Sequence, residues 1–338
     1  MGDLGVALIG AGMVAGTHLA AIRDAGGVRL TGVWSRAAAR AEAAGQGARV
    51  YATLSEVAAD PAVDVAIVVT PPNARRDVLA PLVAAGKHIL LEKPVARDLA
   101  EARAVVALCR DAGVTLGVVF QHRMRAASLK AAAIIAAGDL GAPGLVEIAV
   151  PWWRDQSYYD EPGRGTYARD GGGVLISQAI HTLDLALSLA GPVTHVQAMT
   201  ATTALHRMEA EDVAAAGLRF ASGAVGTLTA TTASFPGAAE WIRLHYARAS
   251  LHLEAGVLTV SHRDGRVERF GEQAGTGGGA DPMAFTHGWH QAILEDFRDA
   301  LRDGRPPAVP GADALAVHAL IDAITRSARA GQTVEVTT

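Results

Sequence analysis

Val6-Ala7-Leu8-Ile9 runs directly into Gly10-Ala11-Gly12-Met13-Val14-Ala15-Gly16, and this order decides the fold. A short buried strand, a glycine turn and a helical pattern follow one another without spare residues. Gly10 would make the tight turn, and Gly12 would let the main chain approach a phosphate. Ala15, or Gly16 just beyond it, would keep the helix close to the sheet. Met13 and Val14 fall at the helix start, where N–H groups lack partners. Such a loop suits a pyrophosphate. A plain tight turn gives the same letters, so the rest of the chain has to agree.

It does so through repetition. Apolar runs at Val6–Ile9, Arg29–Trp34, Val65–Val69, His88–Leu91 and Val114–Phe120 alternate with Ala-rich helical stretches at Thr17–Ala25, Ala37–Ala44, Arg75–Ala85 and Leu99–Ala112. The spacing predicts βα units around a parallel sheet covered on both faces. Ligands of such sheets bind beyond the carboxyl ends of the strands, where Gly10–Ala15, Ser35-Arg36, Thr70–Asn73 and Glu92-Lys93-Pro94 all fall. After Gln121 the rhythm changes. Helical patterns at 126–137 and 176–189 flank an aromatic stretch, and from Val193 to Phe270 the period is two, with turn signals such as Asp264-Gly265. An α/β protein results: a Rossmann-like parallel domain over 1–122, then an α/β domain on a largely antiparallel open sheet over 123–310. The helix and tail of 311–338 are expected to return to the first domain. Gly275–Gly279 reads as a flexible loop.

The chain has 338 residues, half of them apolar but only 5% aromatic, so its core is built from Ala, Val, Leu and Ile. A formal charge of -4 without dense Lys/Arg runs argues against a nucleic-acid partner. One cysteine, Cys109, excludes an internal disulfide and reads as a small core residue. No stretch reads as a membrane span, and the N-terminus lacks the basic-then-apolar order of a secretion signal. A soluble cytoplasmic protein is the expectation.

Four strand ends carry candidate chemistry. Ser35-Arg36 ends the second strand, where an adenosine ribose would lie. A small hydroxyl followed by Arg can receive a 2′-phosphate, which tilts the cofactor from NAD towards NADP; a solvated turn with Ser35 as helix cap is the alternative. Thr70, Pro71 and Asn73 form a stiff rim, with Asn73 able to cap the next helix. Glu92 and Lys93 precede Pro94, which restricts Lys93 to an extended backbone and admits a cis bond. A fixed ammonium there can hold a substrate hydroxyl and stabilise alkoxide character; a surface ion pair with Glu92 is the other reading.

In the second half, Asp170-Gly171-Gly172-Gly173 precedes a helix on which Ser177, His181 and Asp184 fall on one stripe. His181 can take the proton as hydride leaves a carbinol, with Asp184 orienting it or closing a local network; alternatively it is a satisfied core histidine. Arg123, Arg154, Arg164 and Arg169, with Trp152, Trp153, Tyr158 and Tyr159, suit either a pocket for an anionic sugar-like substrate or a subunit interface. His287 and His290 have no carboxylate or cysteine at ligand spacing, so no metal is assigned.

Taken together, Gly10-Ala11-Gly12-Met13-Val14-Ala15 with His18, Thr70-Pro71-Pro72, Glu92-Lys93-Pro94, and Gly171-Gly172-Gly173 with His181 and Asp184 resemble the glucose–fructose oxidoreductase, inositol dehydrogenase and rhizopine-catabolism family. The resemblance covers essentially the whole chain. It implies a nicotinamide-binding first domain, hydride transfer at a ring hydroxyl with Lys93 and His181 at the catalytic positions, and homodimers or homotetramers packed through the antiparallel sheet. The substrate class it implies is a sugar, sugar acid, cyclitol or sugar nucleotide. Gln178, together with the aromatic and arginine stretch, is most similar to the branch that oxidises UDP-linked N-acetylglucosaminuronate at its 3-hydroxyl. Two positions depart from the family: Ser177 stands where many members carry Asp, and Arg75 where many carry His. A dinucleotide-binding regulator without chemistry and a glycoside-cleaving enzyme with tightly held NAD are the alternatives.

Overall fold

The computed structural model describes residues 2–275 and 285–337. In chain order the first elements are β1 (Leu4–Ile9), α1 (Ala15–Asp24), β2 (Val28–Trp34), α2 (Ala38–Gly45), α3 (Leu54–Ala59), β3 (Val65–Val68), α4 (Arg75–Ala84), β4 (His88–Glu92), α5 (Leu99–Asp111) and β5 (Leu116–Val119). Next come α6 (Ala126–Ala136), β6 (Pro143–Pro151), α7 (Gln156–Tyr159), α8 (Ile180–Ala190), β7 (Val193–Ala201), β8 (Val213–Phe220) and β9 (Val225–Thr231). The chain closes with β10 (Trp241–Tyr246), β11 (Ala249–Glu254), β12 (Val257–His262), β13 (Val267–Phe270), α9 (Gly288–Asp303), α10 (Gly311–Ala330) and β14 (Val334–Glu335).

Two compact units form, one from residues 1–121 and 286–314, the other from 122–285 and 315–338. The expected boundaries lay at 122/123 and 310/311, with all of 123–310 in the second domain. Instead the chain returns early, and α9 belongs to the first unit because its apolar face packs on α1. Conversely β14, in the tail expected to fold back on the first domain, pairs with β7 in the second unit. Most of the Gly275–Gly279 tract lies outside the described residues.

In the first unit the sheet order is β2-β1-β3-β4-β5, all parallel. Every residue of β3 and β5 is buried, as a strand covered on both faces demands. Phe297 of α9 is almost fully buried and lies over Gly117 of β5, where an added Cβ would stand 2.6 Å from its ring. Glycine there lets helix and strand approach. Beside it, Val118 N–H donates to Val309 O at 2.9 Å, fixing the return segment at the sheet edge.

The second unit carries a nine-stranded sheet, β13-β12-β11-β10-β6-β9-β8-β7-β14, antiparallel except for the β6–β9 pair. Burial alternates along β8, β9 and β11, so one face is covered while the other presents Met199 and Val225 outward. Helices α6 and α8 lie on the covered face. Among the described residues no helix is long and apolar enough to cross a membrane.

Replacing Gly117 by Ala should force the Phe297 ring aside and cost about 1–3 kcal/mol, the usual range for overpacking a filled core. Urea unfolding followed by far-UV circular dichroism checks this; a variant with the wild-type midpoint would show that the ring has room to move.

Candidate active site

The glycine turn behaves as its letters ask. Gly10 has φ +112°, and a Cβ on it would press on Val69 and Thr70, so no other residue fits. A Cβ on Gly12 would meet nothing within 4 Å. Its bareness serves no packing inside the chain and leaves the main chain open to an outside group. Helix α1 then begins with no side-chain cap on its first N–H groups, and Met13 stands about half exposed. This cradle fits a dinucleotide pyrophosphate. Ser35 Oγ accepts from Ala37 N–H at 3.4 Å, but Ala37 is the N-cap of α2, so Ser35 is not the cap, and Arg36 is exposed. Asn73 is exposed as well, and α4 starts after a short 3₁₀ turn without the side-chain cap expected of it.

At the end of β4 the alternative of a surface ion pair fails, because Glu92 is buried. Its Oε1 accepts from His18 Nε2 of α1 at 2.8 Å, and His290 Nε2 of α9 lies 3.5 Å away. Its Oε2 accepts from Lys93 N–H at 3.1 Å. Burial alone would raise the Glu92 pKa, but the hydrogen bonds and charge of the two histidines hold it well below the ordinary carboxyl range. Burial lowers His290 in turn. His18, Glu92 and His290 offer atoms within 4.8 Å of one another, the grouping most like a metal site among the described residues. Helical spacing around His290 does not reveal it, because the carboxylate arrives from a distant strand. The Lys93–Pro94 peptide is cis.

In the second unit, Gly171 and Gly172 adopt φ +86° and +157°, and a Cβ on Gly173 would overlap the Glu211 main chain. This close approach lets Glu211 take three successive N–H groups. Its carboxylate accepts from Gly173 at 3.2 Å and Leu175 at 3.1 Å, and its carbonyl from Val174 at 2.8 Å. Sequence reasoning missed Glu211; an acidic residue far away in the chain gives no local signal. The helix it anchors opens with a wide π turn over Leu175–Ala179 before becoming α8. Ser177 and Gln178 sit in that turn, so Ser177 no longer keeps the ideal α-helical offset from His181. Such turns recur at functional sites.

His181 is buried and stacks on His122 with ring centroids 4.9 Å apart. Asp184 receives a two-pronged bond from Arg123, at 2.7 Å from Nε and 2.6 Å from Nη2. Expected as separate substrate contacts, these two answer each other. Gln178 Nε2 and Arg164 Nη1 both donate to Tyr158 OH, at 3.3 and 3.2 Å, and the Arg164 guanidinium lies over the Tyr158 ring. Tyr158 rather than Tyr159 thus faces the polar cluster. Tyr159 is a core residue whose hydroxyl pairs with Thr232 at 2.6 Å, and burial raises its pKa. Arg164 and Arg169 share Glu161, each at 3.0 Å, so an internal carboxylate takes the place expected for a substrate anion. Arg154 is buried and donates to Trp153 O, while the Trp153 ring meets Phe235 and His206.

A family profile described as an oxidoreductase family with an NAD-binding Rossmann fold matches residues 4–120, and the GFO/IDH/MocA C-terminal domain matches residues 128–275. D-apiose dehydrogenase of Paraburkholderia graminis is 29% identical, covering 98% of this chain and 89% of its own length. The NAD(+)-dependent scyllo-inositol 2-dehydrogenase of Bacillus subtilis is 27% identical, covering 83% of this chain and 80% of its own. The crystal structure of the WlbA dehydrogenase of Bordetella pertussis, in complex with NADH and UDP-GlcNAcA, matches with TM-score 0.84 and 30% identity over 99% of both chains.

The buried cluster makes the first unit acid-sensitive, and both shifts have the same sign. The unfolded chain protonates His290 near 6.5 and Glu92 near 4.5, before the folded protein does, so stability falls as pH drops through those values. Urea midpoints should decline from pH 7 to 5, and His290→Gln, which keeps an N–H for Glu92, should flatten that decline. Equal pH slopes in both proteins would mean His290 stays neutral in the unfolded chain or protonates freely when folded.

Proposed function

The chain belongs to the GFO/IDH/MocA oxidoreductase family and carries its NAD-binding Rossmann fold, and from that premise we propose that it reversibly oxidises a secondary hydroxyl on a sugar-like ring. Candidate substrates are sugars, sugar acids, cyclitols and sugar nucleotides; D-apiose dehydrogenase and scyllo-inositol 2-dehydrogenase are named for a sugar and a cyclitol, and the WlbA dehydrogenase crystal holds UDP-GlcNAcA. The observation that carries the reading is Lys93, held at the end of β4 by a buried carboxylate on the same sheet edge as the glycine turn.

Gly10, Gly12, Met13 and Val14 would hold the pyrophosphate, with Ser35 and Arg36 at the adenosine ribose and Thr70, Pro71 and Asn73 at the nicotinamide side. When bound, the nicotinamide supplies the hydride acceptor. The Lys93 ammonium donates to the reacting oxygen and stabilises its growing negative charge. His181 takes the hydroxyl proton, an imidazole being suited to do so near neutral pH. Gln178 and the Tyr158 hydroxyl that it bonds would meet the polar groups of the substrate. The exposed Arg36 beyond Ser35 favours NADP over NAD, because no carboxylate follows β2 to repel a 2′-phosphate.

Oxidation should appear as nucleotide reduction at 340 nm across a panel of free sugars, uronic acids, inositols and UDP-sugar acids. His181→Ala should lower kcat by about 10²–10⁴-fold, the span of a lost general base, while cofactor affinity stays within about threefold. Wild-type turnover in that variant at every pH would remove His181 from the chemistry. For the cofactor, Ser35→Asp should shift the kcat/KM ratio from NADP towards NAD by an order of magnitude or more, about 1.4 kcal/mol in transition-state terms. An unchanged ratio would mean that this strand end does not read the ribose.

A further inference from the structure

Arg75 opens α4 with its side chain turned inward, only 2% exposed, although an arginine at that depth is rare. Its guanidinium donates to three main-chain carbonyls. Nε reaches Thr70 O at 3.2 Å, Nη2 reaches Lys93 O at 3.3 Å, and Nη1 bonds Glu92 O. Thr70 lies just beyond β3, and Glu92 ends β4. On the other side of the same segment, the Lys93 N–H donates to the Glu92 carboxylate, itself held by His18. Lys93 is therefore gripped at its N–H by an anion and at its C=O by a cation.

We propose that Arg75 is a positioning residue that fixes the direction of the Lys93 ammonium and ties it to the rim at Thr70. The inference rests on the role given to Lys93 above. Arginine suits the task better than lysine or histidine. Its planar fork carries five N–H donors in fixed directions, whereas a lysine presents one compact ammonium and an imidazole at most two N–H groups. Burial pushes Arg75 down to about 9, opposed by the Glu92 carboxylate, so it remains cationic at neutral pH. A merely space-filling residue here would leave three carbonyls to find other donors.

The chain contains just three lysines, Lys87, Lys93 and Lys130, so lysine-labelled protein gives a sparse NMR spectrum that needs no substrate. With 13Cε-lysine in the protein alone, Lys93→Met identifies the Lys93 signal. Arg75→Met should move that signal towards the position of a free lysine while those of Lys87 and Lys130 stay, with Arg75→Lys in between. In parallel, Arg75→Met should lower kcat by about 10–100-fold on the fastest substrate of the panel above, with KM little changed, as a misplacement of order 1 Å would. The double variant Arg75→Met/Lys93→Met should be no slower than Lys93→Met alone, because Arg75 acts through Lys93. An unmoved Lys93 signal in folded Arg75→Met, or effects that multiply in the double variant, would overturn the proposal. If Arg75→Met does not fold, Arg75→Lys and Arg75→His decide by the same two readouts. Full turnover in Lys93→Met would sink the role of Lys93 itself, and the NMR shift would still tell whether Arg75 positions it.

Discussion

An ionised carboxylate buried at the end of β4 is the constraint around which the first unit is arranged. Removing Glu92 from water costs several kcal/mol unless donors replace the solvent. Three do: His18 from α1, His290 from α9 and the N–H of Lys93. Each makes a demand on the fold. Helix α1 has to start close above β1, which the strained Gly10 turn allows. Helix α9 has to leave the second half of the chain and pack on α1, which the Phe297–Gly117 contact allows. The glycine turn, the returning helix and the main chain of Lys93 thus answer to one anion. Truncating a single partner would leave the charge buried and unpaired, a larger loss than an ordinary hydrogen bond.

The second unit solves a similar problem with a half-buried carboxylate. Glu211 occupies the start of the helix that bears His181, where free N–H groups and the helix dipole favour negative charge. Burial nevertheless raises its pKa, against the pull of those backbone bonds. The glycines are the condition for this contact rather than a flexible linker: two supply left-handed backbone, and the third admits the Glu211 main chain at a distance no side chain permits. The π turn that follows widens the helix just where Ser177 and Gln178 emerge.

What was legible in the sequence followed from periodicity and short-range chemistry. The five parallel strands, the helices between them and the alternating strands from Val213 onward appear within a residue or two of their expected places. Strand β6 escaped because prolines bound it and apolar Leu145 and Ala149 on its outward face blur the alternation, and α3 because a six-residue helix is too short to show a period. The domain assignment of α9 escaped for a different reason: an amphipathic helix announces that it packs, not on what. The site was legible wherever its residues sit at strand ends. It was illegible wherever a partner comes from far along the chain, as with Glu92 and His290, and Glu211 and Gly173. The stripe of Ser177, His181 and Asp184 assumed an unbroken α-helix, which the π turn interrupts.

Asp184 is paired with Arg123, and the ring stacked on His181 has a partner of its own. Arg125 Nη2 lies 2.6 Å from His122 Nε2, and Arg125 Nη1 donates to Glu240 at 2.7 Å. A guanidinium has no acceptor, so His122 Nε2 must carry a lone pair, and the His122 ring is neutral with its proton on Nδ1. Were His122 protonated, it would face both Arg125 and any positive charge on His181 at stacking distance, offset only by Glu240, which lies 3.9 Å away and already pairs with Arg125. Held neutral, it adds no positive charge against the face of the His181 ring. Glu240, taking a further bond from the Trp152 indole, keeps Arg125 in place. The ring stacked on His181 is therefore held by an arginine that comes from outside the helix bearing His181.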